Sequence, residues 1–185
     1  MRQTDRPGFR RLSERVVYDG HVIRLAIGLI EAPDGQQFER EIVHHPGAVS
    51  VVPLLDDGRV VLVRQYRAPL DREMLEIPAG KRDVAGEPPE TTARRELEEE
   101  TGLRAAVVEK LVEFHNSVGF CDEHSQVFLA RELQPVAQDL QGVEEQHLTI
   151  ERVPLADALA MIDTGTITDA KTVIGLTLTA RRLGC

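Results

Sequence analysis

Tryptophan is absent from this 185-residue chain, and aromatic residues make up only 4% of it, so no obvious platform for stacking a nucleobase stands out. Positive charge is also in short supply. Lys and Arg number 22 against 31 Asp and Glu, a formal net charge of −9. That balance disfavours nucleic-acid backbones and anionic membranes as partners, because both demand basic surface. A nucleotide held through metal ions is still compatible with it. The two cysteines, Cys121 and Cys185, form neither a metal-ligand pattern nor a disulfide framework, which suits a reduced, cytoplasmic setting. The six histidines show no metal-ligand spacing, and the His44-His45 pair reads as structural. No apolar run approaches the ~18 residues of a membrane span. The opening MRQTDRPGFRR is polar and lacks the apolar core of a signal peptide. Internal repeats and low-complexity segments are missing too. What remains, 42% hydrophobic and 29% charged residues, describes an ordinary globule with one full core and room for a small appendage.

The most informative stretch is Gly80 to Leu103, GKRDVAGEPPETTARRELEEETGL. Pro88 and Pro89 suit a helix's first turn, where a missing N–H costs nothing. Gly102 suits the left-handed residue just past a helix end. On the helix between them Glu96 stands three and four residues before Glu99 and Glu100, so all three carboxylates share a face. Like charges at that spacing repel, and a helix that keeps them together has use for a cation. The plainer reading is a solvated helix laced by Glu90–Arg94, Arg94–Glu98 and Arg95–Glu99 pairs. The order of residues favours the first reading. The stretch resembles the Nudix box: Gly, five residues, Glu, seven residues, Arg-Glu, an aliphatic, any residue, Glu-Glu, any residue, Gly and an aliphatic. Gly80, Glu87, Arg95, Glu96, Leu97, Glu99, Glu100, Gly102 and Leu103 fill its positions, with one departure: six residues separate Gly80 from Glu87.

Along the rest of the chain, alternating runs at Leu12–Tyr18, Val22–Ile30 and Phe38–His44, punctuated by Asp19-Gly20 and Pro33-Asp34-Gly35, predict a small antiparallel sheet. Its alternative is an extension of the main sheet. Ala48–Leu55 and Arg59–Gln65 read as strands of a hairpin turning at Asp56-Asp57-Gly58. Further strands are expected at Ala105–Phe114, Ser125–Ala130 and Leu148–Val153, a mobile loop at Gln134–Gln146, and helices at Leu155–Asp163 and Ala170–Leu183. The expected fold is α/β, an α/β/α sandwich around a mixed sheet, with the N-terminal sheet as an appendage. Residues 1–45 are assigned to that extension and 46–185 to the main domain.

The flanks YDGHVIRL, FEREIVHHPGAVSVVPL, VRQYRAPL, LEIPAGK and the Gly119-Phe120-Cys121-Asp122-Glu123 loop make the chain similar to the ADP-ribose pyrophosphatase branch of the Nudix hydrolases, over roughly residues 15–180. That resemblance implies hydrolysis of ADP-ribose, or of a nucleoside diphosphate sugar, by a homodimer that shares its N-terminal sheets. It implies Mg2+, with Mn2+ as a substitute, on Glu96, Glu99, Glu100 and the carbonyl of Ala79. Arg95 orients those carboxylates, and Gly80 and Glu87 support them. The general base is Glu123, with Glu99 its rival. Arg40, Glu41, Arg67 and Glu76 match substrate contacts, and Glu144 and Glu145 an acidic loop. The plain alternative for Arg40, Glu41 and Arg67 is a surface ion pair, and for Glu76 a polar strand residue. In this branch Ser-Pro-Gly is usual after the box; here Ser117-Val118-Gly119 stands, which leaves room for other sugar nucleotides such as UDP-sugars. A sensing domain that binds ADP-ribose without cleaving it is the alternative from another class.

Overall fold

The computed structural model describes residues 8–138, 140 and 145–185. Two compact units divide the chain. One comprises the chain up to Pro46 with residues 115–124, and the other residues 47–114 and 125–185.

In the first unit the alternating runs become β1 (Arg10–Asp19), β2 (Arg24–Glu31) and β3 (Gln37–His44), an antiparallel sheet in that order. The sheet stands on its own and does not extend the main one. Gly35, at φ +84°, closes the β2–β3 turn in a conformation that a side chain resists. β1 is exposed along nearly its whole length. The 115–124 segment adds to β3: Val43 N–H donates to the Phe120 carbonyl at 2.7 Å, and Asp122 N–H to the Val43 carbonyl at 3.1 Å.

In the second unit period-2 alternation sorts side chains to two faces. The central strand, β4 (Ala48–Pro53), runs parallel to β9 (His124–Pro135) and antiparallel to β7 (Ala79–Lys81), with β8 (Leu103–His115) beyond β9. Val49 and Val51 of β4 and Phe128 and Ala130 of β9 pack with Ala93 and Leu97 of α1 (Pro89–Thr101). The intervening residues, Val52, Val127 and Leu129, face Leu155 and Ala158 of α2 (Leu155–Asp163) and Leu176 and Ala180 of α3 (Ala170–Leu183). Helices thus cover both faces, as expected of the sandwich. Gly175 lets α3 come close: a Cβ there would lie 2.9 Å from Val52 Cγ2 and 3.1 Å from Ile77 Cδ1.

The Asp56–Gly58 hairpin needs correcting. The turn forms, with Leu55 N–H donating to the Arg59 carbonyl at 2.8 Å, but pairing beyond it is limited to the isolated Leu54–Val60 bridge. β5 (Arg59–Arg67) then leaves β4 and pairs with β10 (Thr149–Pro154) and β6 (Arg72–Glu76) in a separate three-stranded sheet. β5 is buried through Val60–Val63, so its own apolar run carries it into a second sheet. The expected end of β9 at Ala130 moves to Pro135, past Glu132 at φ +56°. Among the described residues no helix is long and apolar enough to cross a membrane.

Candidate active site

The proline pair and the glycine delimit α1 as their chemistry dictates. Pro88 caps it, Pro89 opens it, and Gly102 at φ +63° closes it with its N–H on the Glu98 carbonyl at 2.9 Å. Burial of Ala93 and Leu97, both 0% exposed, pins one stripe of the helix to the sheet. That fixes its rotation and brings Glu96 and Glu100 to the buried edge, with Glu99 beside them.

Arg95 gathers the carboxylates. Its Nη1 lies 2.8 Å from Glu99 Oε2 and 2.9 Å from Glu96 Oε1, and its Nη2 is 3.7 Å from Glu87. Burial works against the guanidinium's charge, but Glu96, Glu99 and Glu87 outweigh it and hold Arg95 protonated more firmly than usual. Glu87 also accepts from the Thr92 hydroxyl at 2.6 Å. The extra residue before it is taken up in a tight turn, with Glu87 N–H on the Val84 carbonyl at 3.2 Å and Gly86 at φ +80°. Of the expected charge pairs, Glu90–Arg94 and Arg95–Glu99 form; Glu98 is held instead by two bonds from Arg104, both at 2.8 Å.

Gly80 is there for space. A Cβ at that position would stand 1.9 Å from Glu96 Cδ, so the carboxylate lies directly against the bare α-carbon. The neighbouring Ala79 N–H donates to Glu100 Oε2 at 3.0 Å. Among the described residues no three acidic, His or Cys side chains are already gathered as a metal cage. Arg95 and the Ala79 N–H meet these carboxylates instead. The donor set itself, oxygen throughout, fits a hard divalent cation.

Arg67 and Glu76, on β5 and β6, form a bidentate pair at 2.7 and 2.6 Å. Glu76 is 2% exposed and also contacts the Lys171 ammonium. Burial pushes its carboxyl up, but the Arg67 hydrogen bonds and the Lys171 charge prevail and hold it below the usual carboxylate range. Arg67 in turn is held charged by Glu76 against burial, with Asp169 and Glu100 adding to the effect. These residues line a cavity of about 570 Å³ with Arg72, Thr168 and Asp169.

The other predicted residues lie in the first unit or outside the described residues. Arg40 and Glu41 are exposed on β3, Arg40 donating to the Glu39 carbonyl at 2.8 Å and lying 4.4 Å from the centroid of the Phe38 ring. Glu123 belongs to the 115–124 segment, its Oε1 4.0 Å from His45 Nδ1. Beside it Asp122 accepts from the His45 N–H at 2.9 Å and contacts His44 Nδ1 at 2.6 Å, while His44 Nε2 meets Glu14 of β1 at 3.0 Å. Burial raises the Asp122 carboxyl, but the His44 and His45 bonds outweigh it and keep it low. Glu144 and the side chain of Glu145 lie outside the described residues. Sequence reasoning missed Asp122, Lys171, Asp169 and Thr172. The Asp-x-x-Thr spacing at the start of α3 was the signal available for the last two.

The family model for the NUDIX domain matches residues 44–174. The chain belongs to the Nudix family. Its relatives include the ADP-ribose pyrophosphatase of Bacillus subtilis (strain 168), 41% identical over 167 residues, 90% of either chain. The methanol dehydrogenase activator of Bacillus methanolicus is 40% identical over 160 residues, 86% of either chain. A crystal structure named as an ADP compounds hydrolase aligns with a TM-score of 0.82 over 95% of this chain and 94% of that one; at 24% identity it speaks for the fold alone. Nudix pyrophosphatases generally require a divalent metal, which agrees with the oxygen donors on α1.

Proposed function

We propose that this Nudix enzyme hydrolyses the diphosphate of ADP-ribose to AMP and ribose 5-phosphate. The observation that carries the reading is the α1 carboxylate face, held by Arg95 and set against Gly80, in a chain 41% identical to an ADP-ribose pyrophosphatase. Glu96, Glu99, Glu100 and the Ala79 carbonyl would hold Mg2+, or Mn2+ in its place. The bound cation would supply charge neutralisation at the diphosphate and a lowered pKa for water. Arg95 keeps the carboxylates oriented, a role whose loss in metal sites typically costs about 10–100-fold in affinity. Gly80 and Glu87 support that arrangement. Glu123 accepts the proton as the water oxygen attacks one phosphorus and the bridging P–O bond breaks; Glu99 is its rival. Arg67, oriented by Glu76, meets phosphate oxygens with its unused guanidinium hydrogens. Arg40 and Glu41 contact substrate, and Glu144 or Glu145 would join the metal ligands.

The enzyme works in the cytoplasm as a homodimer, with residues 1–45 as the dimerisation extension of a hydrolase domain at 46–185. Exposed Val16, Val17 and Tyr18 on β1 support that reading: apolar residues on a solvent-facing strand want a cover. Neither nucleic acid nor membrane is a partner of a chain with net charge −9. Val118, 79% exposed at the head of its turn, replaces the usual proline and leaves a broader nucleoside diphosphate sugar specificity as the second reading.

The test is a hydrolysis panel with Mg2+ comparing ADP-ribose, UDP-glucose and GDP-mannose, with Glu100→Gln as the blank. ADP-ribose is expected to lead in kcat/KM by at least about tenfold, roughly 1.4 kcal/mol of transition-state discrimination. Equal cleavage of UDP-glucose would establish the broader enzyme. Binding of ADP-ribose without turnover of any substrate would leave a sensing domain. Sedimentation of Val17→Glu beside the wild type tests the dimer, which should dissociate.

A further inference from the structure

From the end of β6 into the first residue of β7, the run Ile77–Ala79 has two backbone N–H groups, since Pro78 has none. Ala79 gives its N–H to Glu100, and Ile77 gives its N–H to the hydroxyl oxygen of Thr172 at 2.9 Å. Ile77 and Thr172 are both 0% exposed, so no solvent can stand in for that acceptor. The Thr172 hydroxyl is itself aimed: it donates to Asp169 Oδ2 at 2.6 Å, and the same oxygen caps α3 by accepting the Thr172 N–H at 3.0 Å. One residue back, the Lys171 ammonium joins Asp169, 3.0 Å away, to Glu76, whose other partner is Arg67. A single helical turn therefore grips the backbone that leads to Ala79 and the carboxylate that orients Arg67.

We propose that the first turn of α3, Asp169–Thr172, is a positioning element for the reaction. Thr172 fixes the run that carries the Ala79 carbonyl and meets Glu100. Lys171 shares Glu76 with Arg67 and so sets where that guanidinium stands. The inference rests on the reading above, in which Ala79 and Glu100 take the divalent ion and Arg67 the phosphate. Neither Thr172 nor Lys171 touches substrate in this scheme.

Calorimetric titration with Mn2+ in the absence of substrate, together with kcat and KM under saturating Mg2+, tests both arms. Thr172→Val keeps the shape and removes the acceptor; its Mn2+ Kd should weaken about tenfold, as for the loss of groups that orient metal ligands. Thr172→Ser keeps the hydroxyl and should restore wild-type affinity. Lys171→Met should raise KM about fivefold through loss of a charge-assisted contact, leaving the Mn2+ Kd unchanged, and Lys171→Arg should recover it. If Thr172→Val fails to fold, Asp169→Asn, which weakens the acceptor shared by the Thr172 hydroxyl and N–H, takes its place in the titration. A Thr172→Val protein that melts earlier but binds Mn2+ and turns over like the wild type overturns the Thr172 arm. An unchanged KM in Lys171→Met overturns the other. Wild-type Mn2+ binding by Glu100→Gln would instead sink the metal reading itself.

Discussion

Glu96, Glu99 and Glu100 stand on a helix at three- and four-residue spacing, and their neighbours Arg95, Ala79 and Gly80 are at most 21 residues away in the chain. Glu123 stands on a segment tethered to β3, where His44 meets Asp122 across 78 residues of sequence. The first set is arranged by helical geometry, which the backbone supplies once α1 forms. The second has no such periodicity and depends on Val43, His44 and His45 reaching Phe120 and Asp122. Acidic residues of equal promise in a sequence thus differ in how much of the fold must be in place before they point anywhere.

That contrast can be broken at several points. Glu123→Gln should lower kcat by about 10²–10⁴-fold, the usual worth of a general base, with Mn2+ affinity retained. A large loss in Glu99→Gln with Glu123→Gln near wild type would move the base onto the helix. Gly80→Ala comes next, because the added Cβ would lie 1.9 Å from Glu96 Cδ and the carboxylate must leave. Metal affinity should fall about 10–100-fold, measured by Mn2+ titration. Asp122→Asn weakens the tether without touching α1. We expect kcat to drop about tenfold and the Mn2+ Kd to stay, on the scale of a lost charge-assisted hydrogen bond; a shifted Kd would show that the two sets are not independent.

The smallest effect concerns acid stability. Glu76 and Asp122 both have carboxyls held below their ordinary values in the fold. The unfolded chain therefore binds more protons in acid. Their contribution is complete above the unfolded carboxylate range, about pH 4, and is lost as pH falls through the folded values. Urea midpoints at pH 7 and about pH 3 should differ less in Glu76→Gln than in the wild type. Asp122→Asn should change the difference little, because its side chain is 50% exposed and well screened where Glu76 is 2% exposed.

Much of the second unit is legible in the amino-acid order alone. The limits of α2 and α3 follow from Pro154, Gly165 and Gly184, and both helices run over the residues their apolar spacing marks. The alternation in β4 and β9 marks which residues face α1 and which face α3. The Asp56–Gly58 turn is legible too, but its consequence is not. A tight turn normally keeps two strands paired, and here β5 finds better burial between β6 and β10. Turn chemistry speaks for four residues, and strand pairing is decided by whole strands. His44 illustrates a different limit. Read alone it is a structural histidine, and only the fold places it between Glu14 and Asp122.

Sequence by itself determined the helix with three carboxylates on one side, its start at a proline pair and its end at a glycine, because these depend on backbone geometry within a few residues. It also determined the alternating strands and the acidic surface. Tertiary structure alone decided why Gly80 must be bare, since Glu96 lies against it. It decided that the first turn of α3 holds the link to Ala79, 95 residues separating Thr172 from Ile77. Such contacts are made by elements that pack for apolar reasons and bring polar groups together as a result. No periodicity in the chain encodes them.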